Sequence, residues 1–265
     1  MTLSVCMATV ASVLREVAET EILPRFRNLS DGDIRAKSSA EDLVTLADIE
    51  AERAFTRRLP DLLPGSVVVG EEATYADRTV LDRLSEDNPV WVVDPVDGTG
   101  NFSRGDTAFG VIIALVIGGE TVAGWILDPL DACLAMAEVG AGATVNGRPA
   151  RVVPAMGPLE TVQGCAFGPR GRALRGHVRR MRYIRSAAQV YLRLVTNSLQ
   201  IAAFSRLMPW DHAAGVLIHA EAGGIGRLID GSPYVPTLRS GDIALAPDEA
   251  TWERMAALMM ARPGP

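Results

Sequence analysis

Two aspartates, Asp94 and Asp97, stand in the run WVVDPVDGTGNF over residues 91–102. Val90, Trp91, Val92 and Val93 ahead of them make a continuous apolar stretch of the kind that forms a buried strand. Pro95 fixes its own φ and has no N–H, so the strand is expected to stop and the chain to turn between the two acids, letting their carboxylates converge. Converging carboxylates repel, and each resists ionisation unless a cation lies between them. With oxygen donors only, Mg²⁺ or Mn²⁺ suits such a pair better than zinc. Gly98 permits close backbone approach, while Thr99 brings a hydroxyl and, if a helix begins there, N–H groups facing an anion. A cation site beside an anion cradle points to phosphate chemistry. The plainer alternative is a surface turn whose aspartates only cap and take up water.

The elements that must position these groups can be followed along the chain. Val10, Val13, Leu14, Val17 and Ala18 recur at helical spacing, and Pro24 with the polar segment 28–33 is expected to end that first helix. A second helix is expected from about Leu43 to Leu59, stopped by Pro60, after a Lys-Ser-Ser loop at residues 37–39. The run SVVVGEE sets Glu71 and Glu72 just beyond a short β-branched strand and a glycine. Two hairpins are expected, at Gly118-Gly119 between apolar strands and at Asn146-Gly147. A basic stretch over 169–185 precedes a helix-like segment over 187–199, and Pro209 opens a further helix with Asp211 in its first turn. There is no internal repeat and no low-complexity linker.

At 265 residues the chain can bury a sizeable core, and its 48% hydrophobic and 22% charged composition is that of a soluble globular protein. A formal net charge of −6 argues against a general binder of nucleic acid or anionic membrane. Cys6, Cys133 and Cys165 are few and widely spaced, and read as buried thiols in a reducing compartment. No run has the length of a membrane span, and the amino-terminal segment lacks the charged start of a signal peptide, so a cytoplasmic protein is expected.

Glu71, Asp94, Asp97, Asp211 and Asp48 share one chemistry but lie in separate segments, and spacing alone does not bring them together. The motifs do more. DPVDGTGNF resembles the signature of the inositol monophosphatase family, and KSSAEDLVTLAD at residues 37–48, GEE at 70–72, WDHAAG from Trp210 and EAGG ending at Gly224 resemble its other motifs in order and separation. The resemblance implies an α/β fold, an alternating αβαβα sandwich of the inositol monophosphatase and fructose-1,6-bisphosphatase type. It implies one domain over residues 1–265, with a metal-binding lobe over about 1–145 and a substrate-side lobe over about 146–265. The activity implied is that of a Mg²⁺-dependent, lithium-sensitive phosphomonoesterase with two or three metal ions, working as a homodimer.

Position by position, Glu71, Asp94 and the Val96 carbonyl resemble ligands of a first metal, and Asp94, Asp97 and Asp211 those of a second. Thr99 and Asp48 resemble the pair that orients and activates the attacking water, with Glu71 assisting. Gly98 and Thr99 N–H groups are expected to hold phosphate, and Arg185, Ala187 and Phe204 to face the alcohol half of the substrate. Lys37 and Glu72 are expected to stand behind the ligands rather than bind metal.

Plainer readings accompany several of these. Away from the resemblance Asp48 is a helix-surface acid. His212 and His219 are packing or surface groups, Trp91 and Trp125 core aromatics, and the basic stretch a solvated face. Two positions depart from the family pattern. Phe204 stands where inositol-selective members usually carry a glutamate that accepts from ring hydroxyls, and Arg185 stands where a glycine usually precedes Ser-Ala-Ala. The expected substrate is therefore a small sugar or polyol phosphate, with fructose 1,6-bisphosphate, a 3′-phosphoadenosine nucleotide or histidinol phosphate as alternatives. A guanidinium at Arg185 favours a second anionic group on the substrate, the plainer alternative being a side chain that points to solvent. A reading from another class is a binding partner of the transcription machinery, against which the retained carboxylates argue.

Overall fold

The computed structural model of the chain describes residues 5–36 and 43–261. Helix α1 (Met7–Val17) buries Val10, Val13, Leu14 and Val17 at the expected spacing. It is not cut off ahead of Pro24: a π turn over Ala18–Ile22 and a 3-10 turn over Leu23–Arg25 carry the chain on, with Pro24 in the first turn, where a missing N–H costs nothing. Strands β1 (Ile34–Ala36) and β2 (Leu43–Thr45) pair antiparallel, so the second helix starts later than expected. This helix, α2 (Leu46–Leu62), is opened by a capping box in which Thr45 and Asp48 satisfy each other's groups. It also runs past Pro60, whose carbonyl accepts from the Leu63 N–H and closes the helix end.

The central part of the chain builds β3 (Val67–Gly70), α3 (Glu71–Ala76), β4 (Val90–Asp97), α4 (Thr99–Ser103), β5 (Gly110–Ile117), β6 (Glu120–Asp128), β7 (Cys133–Glu138), β8 (Gly142–Val145) and β9 (Arg148–Pro149). Among the described residues these strands form one sheet in the order β3-β4-β5-β6-β7-β8-β9, with β3 and β4 parallel and the rest antiparallel. Both expected hairpins are present. Gly118 and Gly119 have φ of 59° and 79°, and Asn146 and Gly147 have 49° and 74°, the two positive values that a tight I′ turn requires.

The remainder gives β10 (Gln163–Ala166), α5 (Gly168–Gly171), β11 (Arg180–Arg182), α6 (Ala187–Val195), β12 (Ile201–Arg206), α7 (Pro209–Glu221), β13 (Ile225–Leu228), β14 (Ser240–Ala246) and α8 (Glu249–Ala261). Its strands form a second, mixed sheet in the order β11-β10-β12-β14-β13. The basic stretch lies mostly at the surface, as expected.

Side-chain alternation along the strands sets the layers. In β4, Trp91 and Val93 face a core shared with α1 and α2, while Val90 and Val92 face a second core filled by α6 and α7. In β12, Ala202 and Phe204 face that same second core, and Ile201 and Ala203 face a third, closed by Trp252, Met255 and Met259 of α8. Helices and sheets thus alternate through five layers, the expected αβαβα sandwich. Burial on both faces explains the unbroken apolar run ahead of Asp94. Trp91 and Trp125 are fully buried with ring centroids 6.0 Å apart, and both histidines of α7 are buried, so these are packing groups. The cysteines correct the expectation of three buried thiols: all are free, but Cys6 is exposed and Cys133 half-buried, leaving Cys165 as the buried one.

Candidate active site

The strand that carries the two central aspartates does not stop at Pro95. β4 continues to Asp97, with Asp94 opposite Ile112 and Asp97 opposite Gly110, so Pro95 and Val96 together oppose one residue of β5. That is a β-bulge, and it absorbs the proline's missing N–H while bending the strand so that acids three positions apart share a side. Asp94 Oδ1 accepts the Val96 N–H at 3.1 Å across the bulge. Beyond Asp97, Gly98 takes a left-handed φ of 90°, and a Cβ there would lie 3.0 Å from the Ala108 carbonyl and 3.1 Å from Ser186 Cβ. Glycine is required on both counts.

Asp97 is held from the other sheet's side of the molecule. Ser186, the N-cap of α6, donates its hydroxyl proton to Oδ2 at 2.5 Å, and the N–H groups of Ala187 and Ala188 donate to Oδ1 at 3.1 Å and Oδ2 at 2.7 Å. Asp211 enters from the first turn of α7, just after Pro209. Asp94, Asp97 and Asp211 each bring a carboxylate oxygen within 4.8 Å of the others.

The crowding has an electrostatic consequence. Burial pushes the Asp94 carboxyl well above the ordinary carboxylate range, and the charges of Glu71, Asp97, Asp211 and Asp48 push it further. Burial likewise raises Asp97 to about 6, against the pull of the Ser186, Ala188 and Ala187 hydrogen bonds. An all-oxygen donor set whose members repel and resist ionisation fits a hard divalent cation such as Mg²⁺, which would relieve both effects. Glu71, at the start of α3, belongs to this field by its influence on both aspartates.

Asp48 is fully buried, so the surface-acid reading is wrong for it: the capping box turns its side chain inward. Its Oδ2 accepts the Thr45 N–H at 2.8 Å, and its Oδ1 faces the Thr99 hydroxyl at 3.0 Å. The same hydroxyl lies 3.1 Å from the Val96 carbonyl. Asp48, Thr99 and Val96 are therefore brought together beside the aspartate cluster.

On the substrate side, Arg185, Ala187 and Phe204 line one cavity of about 340 Å³ together with Asp97 and Asp211. Ala187 contributes its backbone N–H to Asp97, a supporting contact that its expected place against the substrate did not include. Arg185 has φ of 58°, the left-handed region that suits the glycine expected there, and its guanidinium lies 4.7 Å from the centre of the Tyr183 ring. Glu72 is half-buried, and Lys37 lies outside the described residues.

Three residues that the sequence reading passed over support this assembly. Glu52 is buried and accepts the N–H groups of Glu72 and Ala73, both at 2.8 Å, and so anchors the helix that carries Glu71. Asn101 donates from its amide to the carbonyls of Ala108 at 2.6 Å and Ile184 at 2.9 Å, tying the signature segment to the strand leading into α6. Ser186 has been described above. Glu52 stands one helical turn after Asp48, and Ser186-Ala-Ala-Gln189 has the spacing of a capping box, so those two carried a readable signal.

Comparisons with known proteins agree with this geometry. A profile of the inositol monophosphatase family matches residues 4–262. The inositol-1-monophosphatase SuhB of Mycobacterium tuberculosis is 35% identical over 243 residues, which cover 86% of this chain and 82% of that protein. A solved IMPase of Thermotoga maritima superposes with a TM-score of 0.83 at 24% identity, covering 96% of each chain. An IMPase/NADP phosphatase solved with Mg²⁺ and phosphate has the same fold, with a TM-score of 0.82 at 21% identity and 97% and 95% coverage. With the profile spanning nearly the whole chain and the buried acids in place, the protein belongs to the inositol monophosphatase family and is a hydrolase of phosphate monoesters.

Proposed function

We propose that this enzyme hydrolyses a small sugar or polyol phosphate, with water attacking phosphorus and the ester P–O bond breaking on the opposite side. The observation that carries the reading is the meeting of Asp94, Asp97 and Asp211 within 4.8 Å, beside the Thr99–Asp48 hydrogen bond. Glu71, Asp94, Asp97, Asp211 and the Val96 carbonyl would hold two or three Mg²⁺ ions. When bound, such ions supply neutralisation of phosphoryl charge and a lowered pKa for water. Thr99 Oγ1 accepts a hydrogen bond from the attacking water while its own proton points to Asp48 Oδ1, so Asp48 orients the pair and is the base to which the proton passes. The N–H groups of Gly98 and Thr99 hold the phosphate oxygens. The leaving oxygen departs toward the cavity that Arg185, Ala187 and Phe204 line, and it takes up a proton on release.

Family membership further supports Mn²⁺ as a substitute, inhibition by Li⁺ and a homodimer; three free cysteines support a cytoplasmic setting. Phosphate release from a panel of sugar and polyol phosphates, measured on metal-stripped enzyme with and without added Mg²⁺, tests the reading. Mg²⁺-dependent release from at least one ester is expected, and no release from any of them contradicts it.

A further inference from the structure

The wall of the substrate cavity away from the aspartates has an unusual inventory. Phe204 is clamped by rings: Phe167 stacks on it at 5.3 Å, Tyr191 at 5.8 Å, and His212 meets it edge-on at 4.7 Å. The ring therefore has no freedom to swing aside and expose a polar group behind it.

The neutral polar side chains that line the same cavity direct their protons elsewhere. Ser205 donates to Asp242 at 2.5 Å, and Ser186 donates to Asp97. His212 has Nε2 2.8 Å from the Arg206 carbonyl, a pure acceptor, so Nε2 carries the proton and Nδ1, 3.0 Å from the Tyr191 hydroxyl, accepts. Both ring nitrogens are thus taken up within the protein, and neither is left to a ligand. Beyond the acids, the residues left along the lining are the aromatic pair Phe167 and Phe204 and the arginines Arg185 and Arg206.

Arg185 adds an argument from the backbone. It adopts a left-handed φ of 58° that costs an arginine free energy and a glycine none. Its guanidinium lies 4.7 Å from the centre of the exposed Tyr183 ring, and the residue itself lines the same cavity as Phe167 and Phe204. A hydroxyl set against Phe204 would lose its water without gaining a partner, whereas an anion reaching a guanidinium gains a charge-assisted hydrogen bond.

Resting on the phosphatase reading above, we infer that the sugar or polyol half of the substrate turns an apolar face to the wall that Phe167 and Phe204 form and presents a second anionic group to Arg185 and Arg206. Selection is by that pairing, not by hydrogen bonds to an array of hydroxyls. Both a carboxylate and a second phosphoryl-type group have the required chemistry.

The test compares kcat/KM, with Mg²⁺ present, for benzyl phosphate, 4-carboxybenzyl phosphate, 4-phosphonobenzyl phosphate and myo-inositol 1-phosphate. At least one doubly anionic probe is expected to exceed both benzyl phosphate and inositol 1-phosphate by about tenfold, the size of one charge-assisted hydrogen bond. Whichever of the two leads identifies the second anion as carboxylate-like or phosphate-like. Arg185→Gly, which suits the backbone, is expected to shrink the advantage over benzyl phosphate about tenfold, and Arg206→Ala checks the second arginine at a position whose own φ is not left-handed. Inositol 1-phosphate as the best of the four overturns the inference, as does an anionic advantage that survives both substitutions; in either case Mg²⁺-dependent turnover leaves the phosphatase reading standing. Absence of turnover of every ester overturns that reading itself, and the inference with it.

Discussion

The Ser186 hydroxyl donates to Asp97 Oδ2 at 2.5 Å across 89 residues of sequence, joining the N-cap of α6 to the end of β4. A cation site between two sheets needs such a tie, because one of its acids must keep its position against the repulsion of the others. Ser186→Ala removes a donor that favours the ionised carboxylate. The Mg²⁺ concentration for half-maximal phosphate release is expected to rise about tenfold, and more at pH 6.5 than at pH 8. An unchanged Mg²⁺ requirement at both pH values would show that Ala187 and Ala188 hold Asp97 unaided.

Metal-free protein should lose stability as pH rises, the opposite of ordinary acid denaturation. Asp97 has a folded value of about 6 against 3.8 for an unperturbed carboxyl, so between those values the folded chain binds more protons than the unfolded one. Its contribution is present in full below pH 3.8 and is lost as pH rises through about 6. The metal-stripped enzyme is expected to melt roughly 5 °C higher at pH 5.5 than at pH 7.5, and excess Mg²⁺ is expected to close the gap by stabilising the ionised site. Equal melting temperatures without metal would show that burial does not disfavour the ionised Asp97 in the folded state.

Glu52 makes Gly70 irreplaceable. A Cβ on Gly70 would lie 2.2–2.6 Å from the Glu52 carboxylate group, which is fixed by the N–H groups of Glu72 and Ala73. Gly70→Ala is expected to cost about 1–3 kcal/mol in urea unfolding and to weaken Mg²⁺ activation by displacing Glu71. Wild-type stability with wild-type Mg²⁺ dependence would show that α3 has room to shift.

The Thr99–Asp48 pair separates orientation from bulk. Thr99→Val keeps the shape and removes the hydroxyl, and kcat is expected to fall about 10²-fold or more; Thr99→Ser restores the hydroxyl and most of the rate. If Thr99→Val and Thr99→Ser have equal rates, the hydroxyl has no part in handling the proton.

Much of this site was legible because it is local. The apolar run before Asp94, Gly98 and Thr99 after Asp97, and Pro209 ahead of Asp211 each declare their own backbone, and the motif order supplied their convergence. The failures were also local in cause. Pro95 looked like a strand end, yet a bulge accommodates it; Leu43 looked helical, yet β1 pairs with β2 and the Thr45–Asp48 box moves the helix start. Asp48 was readable as buried only through resemblance, since helical spacing alone does not say which polar residue turns inward. Asn101 and the ring clamp around Phe204 depend on contacts between distant segments, which no window of sequence displays.

The central claim is that Asp94 anchors a divalent cation without which the enzyme does not hydrolyse phosphate esters. The direct measurement is Mg²⁺-dependent phosphate release by wild type and Asp94→Asn, each stripped of metal first, with the melting temperature of both followed in parallel. Wild type is expected to be inactive until Mg²⁺ is added, and Asp94→Asn to lose about 10³-fold in kcat/KM while its metal-free form melts no lower than wild type, since a repelling charge has been removed. Metal-independent release by wild type, or an Asp94→Asn enzyme as active as wild type, would contradict the account.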